Sequence, residues 1–156
     1  MMVCGPSRSG KTYWVADLLR IRNARIDIPI SKVMYCYAHW QEKYEDMQYR
    51  VNGISFHQGL PSSDEIEEMS NGLIVIDDLM NDAVKDSSML STFTEGSHHK
   101  NISVVFLMQN IFHKGSHTRT MSINTQYMVL FKNPRDEQQI QTLARQVFGR
   151  NSEKLM

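Results

Sequence analysis

Gly5-Pro6-Ser7-Arg8-Ser9-Gly10-Lys11-Thr12 places two glycines, a lysine and a hydroxyl residue at the spacing G-x-x-x-x-G-K-[ST]. That spacing serves one kind of chemistry, the holding of a polyphosphate. The glycines let successive backbone N–H groups curl around a β-phosphate, and the helix after them turns its positive end toward the same anion. Lys11 is then expected to reach the β- and γ-phosphates of ATP, and the Thr12 hydroxyl to ligate Mg²⁺. At ordinary residue frequencies a chain of this length matches the pattern by chance on the order of once in two hundred.

A second group of candidates comes after an apolar run. Leu73-Ile74-Val75-Ile76 leads into Asp77-Asp78, the arrangement of a Walker B element. Asp77 is expected to hold Mg²⁺ through its water shell, and Asp78 to polarise an attacking water. The alternative for Asp78 is a loop or helix-capping residue. Val104-Val105-Phe106-Leu107-Met108 ends in Gln109. In P-loop ATPases with a strand inserted between the Walker A and Walker B strands, that strand ends beside the γ-phosphate. Gln109 therefore suits a sensor or water-orienting role, against the alternative of a polar strand end facing solvent.

Positioning these groups requires a particular framework. Short apolar runs alternate with helical periodicity, the pattern of an α/β domain with a largely parallel sheet. Strands are predicted at Met1 to Cys4, Lys32 to Tyr37, Gly53 to His57, Leu73 to Asp77, Ser103 to Met108 and Gln126 to Phe131. Trp14, Val15, Leu18 and Leu19 recur at helical spacing and are expected to face the sheet, with Pro29 ending that stretch. Ser62 and Glu65 have capping-box spacing, which predicts a helix from about Asp64 that stops by Gly72. In the last helix Asn133 is the expected N-cap and Pro134 the first helical residue. Ile140, Leu143, Ala144, Val147 and Phe148 form its apolar stripe, and Gly149 its stop. Trp40, Tyr44 and Met47 also share a helical spacing and read as core rather than as an adenine pocket. Only four residues precede Gly5, so the first strand is short for a phosphate loop. The segment is expected to be a fragment at its start, or to have that edge completed by a partner.

The set GPSRSGKT, LIVIDDLM, VVFLMQN and above all RTMSINTQYMVLFKNPRDEQQI resembles the DNA-packaging ATPases of the FtsK–HerA superfamily. The likeness is to those of large eukaryotic DNA viruses and Maverick/Polinton-type mobile elements, and it runs over nearly the whole chain. It implies one RecA-like P-loop ATPase domain over residues 1–156, with the additional strand between the Walker A and Walker B strands. It also implies ATP and Mg²⁺ as cofactors, and hydrolysis that drives double-stranded DNA into a capsid. The partners implied are double-stranded DNA, further copies of the chain in a homo-oligomeric ring, and a capsid or portal-like protein. Carried onto this sequence, the resemblance gives Lys11 and Thr12 to phosphate and Mg²⁺, Asp77 to Mg²⁺, Asp78 to acid/base chemistry and Gln109 to sensing. It suggests Arg119 as an arginine finger for a neighbouring subunit, with Arg135 and Arg145 as competitors.

Composition narrows the alternatives. Seventeen basic and seventeen acidic residues give a formal charge of zero, so any nucleic-acid surface must be local rather than a global field. From Gly96 to Arg119 the chain has Lys100, Lys114 and Arg119 but no acid, a basic stretch that suits phosphate contacts or an ordinary solvated face. His98, His99, His113 and His117 match no standard zinc spacing. No apolar run approaches the roughly 18 residues of a membrane span, and no leader is visible, so an intracellular location is expected. Cys4 and Cys36 lie in apolar runs and read as buried thiols, and the eleven methionines as packing residues. Two other readings compete: a P-loop nucleotide kinase, disfavoured by the acidic pair that suits water activation, and a non-catalytic nucleotide-binding remnant of a mobile element.

Overall fold

A computed structural model describes residues 1–83, 101–112 and 118–149. Six strands, β1 (Met2–Cys4), β2 (Lys32–Tyr37), β3 (Ile54–Gln58), β4 (Gly72–Asp77), β5 (Ser103–Met108) and β6 (Met128–Leu130), form one sheet in the order β3-β2-β4-β5-β1-β6. Every pairing is parallel. Helices cover both faces, which is why β4 is buried along its whole length and reads as a continuous apolar run rather than an alternating one. The six predicted strands are all present, with ends shifted by up to two residues. The first strand is not an edge: β1 lies between β5 and β6, so the expectation of an edge awaiting a partner does not hold.

The two faces make two cores. Val15 and Leu19 of α1 (Lys11–Arg20) and Tyr44 and Met47 of α3 (Lys43–Arg50) pack with Val3, Tyr35, Val75 and Leu107 on one side. On the other, Ile66 of α4 (Ser63–Glu68), Met121 of α6 (Thr118–Ile123) and Leu143 of α7 (Glu137–Phe148) pack with Met2, Ile74, Ile76 and Phe106. Each fully buried Val or Leu contributes about 1.5–3 kcal/mol of transfer free energy. The capping box at the start of α4 forms as expected, with Ser62 Oγ accepting from the Glu65 amide and Glu65 accepting from the Ser62 amide.

Several packing expectations fail. Trp14 is 37% exposed and Trp40 46%; of its apolar residues α1 fully buries only Val15 and Leu19, and Trp40 lies before α3 begins. Val147 and Phe148 are also exposed, at the far end of α7. Pro29 does not stop α1, which ends at Arg20 and is succeeded by the four-residue α2 (Arg22–Arg25). The last helix starts at Glu137, with Asp136 rather than Asn133 at the N-cap position. Asn133 heads a turn instead: its carbonyl accepts from the Asp136 amide and its side chain from the Arg135 amide.

Buried Arg22 ties the end of α1 to the segments that lead into β2 and β3. Its guanidinium donates to the carbonyls of Leu19 (2.9 Å), Ile30 (3.2 Å) and Asn52 (2.6 Å). A short helix, α5 (Met80–Ala83), comes after β4. No helix among the described residues is long and apolar enough to cross a membrane.

Candidate nucleotide site

Strand register brings the candidates to one edge. Cys4 pairs with Met108 and Asp77 with Leu107, so Gly5, Asp78 and Gln109 all leave the carboxyl ends of adjacent strands. In open α/β sheets this is where ligands bind. The Gly5 amide donates to the Met108 carbonyl at 3.0 Å, fixing the start of the loop against β5. A Cβ on Gly5 would lie 2.5 Å from Cβ of Phe131, so only glycine lets the loop start beside the segment after β6. Gly10 has φ 97° and precedes α1, a left-handed conformation that favours glycine. Pro6 accepts from the Ser9 amide through its carbonyl, Ser7 and Arg8 face solvent, and Arg8 turns the loop with φ 62°.

Lys11 is buried, and its ammonium folds back onto the loop, donating to the carbonyls of Gly5 (2.7 Å) and Pro6 (2.8 Å). Burial pushes its pKa down, while Asp78 and Asp77 act in the opposite direction. Thr12, at the start of α1, donates through Oγ1 to Oδ2 of Asp77 at 3.4 Å. Asp77 is buried at 4% exposure, and burial raises its pKa against the opposing hydrogen bond from Tyr35. Two tyrosine hydroxyls converge on the same oxygen, Tyr35 at 2.6 Å and Tyr44 at 3.1 Å. Burial, and then the Asp77 charge, push both phenols well above their ordinary value. Lys43, the first residue of α3, donates to Thr12 Oγ1 at 2.9 Å.

Asp78 is exposed and has φ 57°. Such sparsely populated backbone conformations concentrate at functional sites. Its Oδ1 accepts from Gln109 Nε2 at 3.2 Å, so the two side chains predicted separately from β4 and β5 meet. The segment leaving Gln109 is anchored to α7, because the Ile111 amide donates to Gln139 Oε1 at 3.0 Å. Arg119 is described only by its backbone, on α6. Arg135 and Arg145 are exposed, on the turn before α7 and on α7 itself. Gly96, His98, His99, Lys100, His113, Lys114 and His117 lie outside the described residues, and with them two of the three basic residues of that stretch. Cys4 and Cys36 are buried free thiols, raised by burial to about 11 and about 12.

Tyr35, Tyr44 and Lys43 carry no motif, and sequence reasoning assigns none of them to the site. For Tyr35 the usable signal is its place on the strand beside the Asp77 strand, two residues before the Asp77 register partner Tyr37.

The residues present fit a magnesium–nucleotide pair. Ser9 Oγ is a buried hydroxyl with no hydrogen-bond partner inside the loop, and an anion seated there would supply an acceptor. Thr12 and Asp77 offer neighbouring hard oxygen donors, and Mg²⁺ commonly takes one or two protein oxygens and completes its shell with water and phosphate. Among the described residues no cluster of three or more His, Cys, Asp or Glu is gathered for a metal.

The fold is that of RecA-like P-loop NTPases. The genome packaging NTPase B204 from Sulfolobus turreted icosahedral virus 2, in complex with ATP-gammaS, superposes with a TM-score of 0.63 at 10% identity, over 99% of this chain and 84% of that one. The same protein in complex with AMPPCP gives the same values. The cytoplasmic domain of EssC gives a TM-score of 0.56 at 11% identity, over 87% of this chain and 32% of that one. No curated protein matches the sequence. A family model described as "Poxvirus A32 protein" matches residues 30–154, a span that begins after the glycine loop. The loop thus rests on its own motif and geometry, while the rest of the chain carries the family match and bears out the resemblance to viral packaging ATPases. This chain belongs to the poxvirus A32 protein family.

Proposed function

We propose that the chain is a Mg²⁺-dependent ATPase whose hydrolysis drives double-stranded DNA into a viral or virus-like capsid. The observation that carries this reading is the meeting of four elements at one sheet edge. The glycine loop with Lys11 and Thr12, the Asp77 end of β4, Asp78 and Gln109 lie together there. Family membership and the likeness to a packaging NTPase support the direction of use.

Lys11 leaves the two loop carbonyls to neutralise the β- and γ-phosphates, and the amides at the start of α1 hold the same anion. Thr12 and Asp77 would hold the metal, and Mg²⁺ bound there would supply positive charge against the phosphoryl group being transferred. Asp78 takes the proton of the attacking water, and Gln109 orients that water and the carboxylate together. Arg119 completes the site of a neighbouring copy, so that the working unit is a ring that meets a capsid or portal-like protein.

An ATPase assay with and without double-stranded DNA, joined to a mass measurement of the assembly, tests this. The expected result is phosphate release that DNA stimulates in an oligomer. Turnover that requires a second nucleotide or nucleoside as phosphate acceptor, with none to water, would replace this reading with the kinase one.

A further inference from the structure

Lys43 stands apart from the glycine loop by 31 residues of sequence, yet its ammonium donates to the hydroxyl that the nucleotide-site reading gives to the metal. The side chain is half-buried, at the first turn of α3. The chain of hydrogen bonds runs from Lys43 Nζ to Thr12 Oγ1 (2.9 Å) and from Thr12 Oγ1 to Asp77 Oδ2 (3.4 Å). Lys43 thus supplies positive charge to the same pair of oxygens that a divalent cation would use. Its charge opposes the rise in the Asp77 pKa and adds to the fall in that of Lys11.

We propose that Lys43, held on the Thr12 hydroxyl, is an internal counter-ion for Asp77 and competes with Mg²⁺ for this pair of residues. This rests on the reading of the site as a magnesium–nucleotide site. An ion ligated to Thr12 at about 2.1 Å would sit no more than about 5 Å from an ammonium that keeps its present bond to Oγ1. Two like charges at that distance repel strongly in a partly buried site. Lysine has a flexible four-carbon stem, so the ammonium swings away and the metal bears the cost of the bond it breaks. Tyr44, next in sequence, keeps its hydroxyl on Asp77 and its ring in the Tyr35–Phe56 cluster, so α3 stays docked while Lys43 moves. Metal loading is thereby coupled to the release of a side chain from outside both Walker elements.

The test is Mn²⁺ binding monitored by electron paramagnetic resonance in the absence of nucleotide, on the wild-type chain, Lys43→Met and Lys43→Arg. Methionine keeps the length and packing of the stem without the charge. Lys43→Met should bind Mn²⁺ about tenfold more tightly, the equivalent of one charge-assisted hydrogen bond no longer broken, and Lys43→Arg should remain within about twofold of wild type. Adding Asp77→Asn to Lys43→Met should abolish the gain, which locates it. Equal or weaker Mn²⁺ binding by Lys43→Met, or Lys43→Arg binding as tightly as Lys43→Met, overturns the proposal. Calorimetry of ATP with Mg²⁺ on the wild-type chain separates the two levels. If ATP binds and Lys43→Met gains nothing, only the counter-ion role falls. If ATP does not bind, the nucleotide-site reading falls and the proposal with it.

Discussion

Tyr35→Phe isolates a single hydroxyl whose value is set by its surroundings. Tyr35 is fully buried, and its ring packs on Tyr44 at 5.2 Å and Phe56 at 5.5 Å between centroids. Phenylalanine preserves those contacts, so the change removes the hydroxyl and with it the 2.6 Å donation to Asp77. A hydrogen bond to a buried carboxylate typically contributes 1.5–3 kcal/mol, and because Tyr44 and Thr12 still donate to the same oxygen, a loss of about 2 kcal/mol is expected at neutral pH. In a chain of this size that corresponds to about 4–8 °C in Tm. The sign with pH comes from Asp77, whose folded pKa is raised by burial. A raised carboxyl means that the folded chain holds its proton more tightly than the unfolded chain, so ionising Asp77 costs stability as pH rises from the ordinary carboxylate range through the raised folded value. Tyr35 reduces that cost. Without it the folded pKa rises further, the loss is complete above it, and it shrinks in acid toward the value of a neutral hydrogen bond, about 1 kcal/mol. Urea unfolding of both proteins at a series of pH values measures this. An unchanged midpoint at neutral pH, or a loss that grows in acid, would refute the reasoning.

Lys11→Ala should weaken ATP binding roughly ten- to a hundredfold, since a charge-assisted phosphate contact contributes about 1.5–3 kcal/mol; calorimetry giving equal affinity removes Lys11 from the site. Arg22→Met should cost about 2–4 kcal/mol in a thermal melt, because three buried or half-buried carbonyls lose their donor together; a shift under about 1 °C would mean that the guanidinium only fills space. Mixing Arg119→Ala with Lys11→Ala subunits should restore ATP hydrolysis that each lacks alone, since an arginine supplied in trans typically contributes 10³–10⁵ in rate. No recovery in assemblies shown by mass to be mixed takes Arg119 out of the neighbour's site.

What sequence reveals about this chain depends on how local each signal is. The glycine loop, the apolar run into Asp77 and the Ser62–Glu65 box are short-range patterns whose chemistry is complete within a few residues. The strands are equally plain because a parallel sheet buried on both faces demands unbroken apolar runs. Tyr35 and Tyr44 are not legible as site residues: a tyrosine on a strand or helix looks the same whether its hydroxyl meets water or a carboxylate 42 or 33 residues away. Lys43 is hidden for the same reason. The stripe rule fails for Trp14, Val147 and Phe148 because periodicity gives a face and neither its width nor its length. Asn133 misleads because a side chain that caps a helix and one that closes a turn make the same bond to a nearby amide.

In the proposed mechanism the adjacent acids at the end of β4, Asp77 and Asp78, have different tasks, and Asp78→Asn separates them. ATP affinity in the presence of Mg²⁺ and the rate of phosphate release are measured on the same preparation, beside wild type. Unchanged affinity is expected, because Lys11, Thr12 and Asp77 remain in place, with hydrolysis lower by about two or more orders of magnitude. Hydrolysis at the wild-type rate would contradict that mechanism and reduce Asp78 to a turn residue.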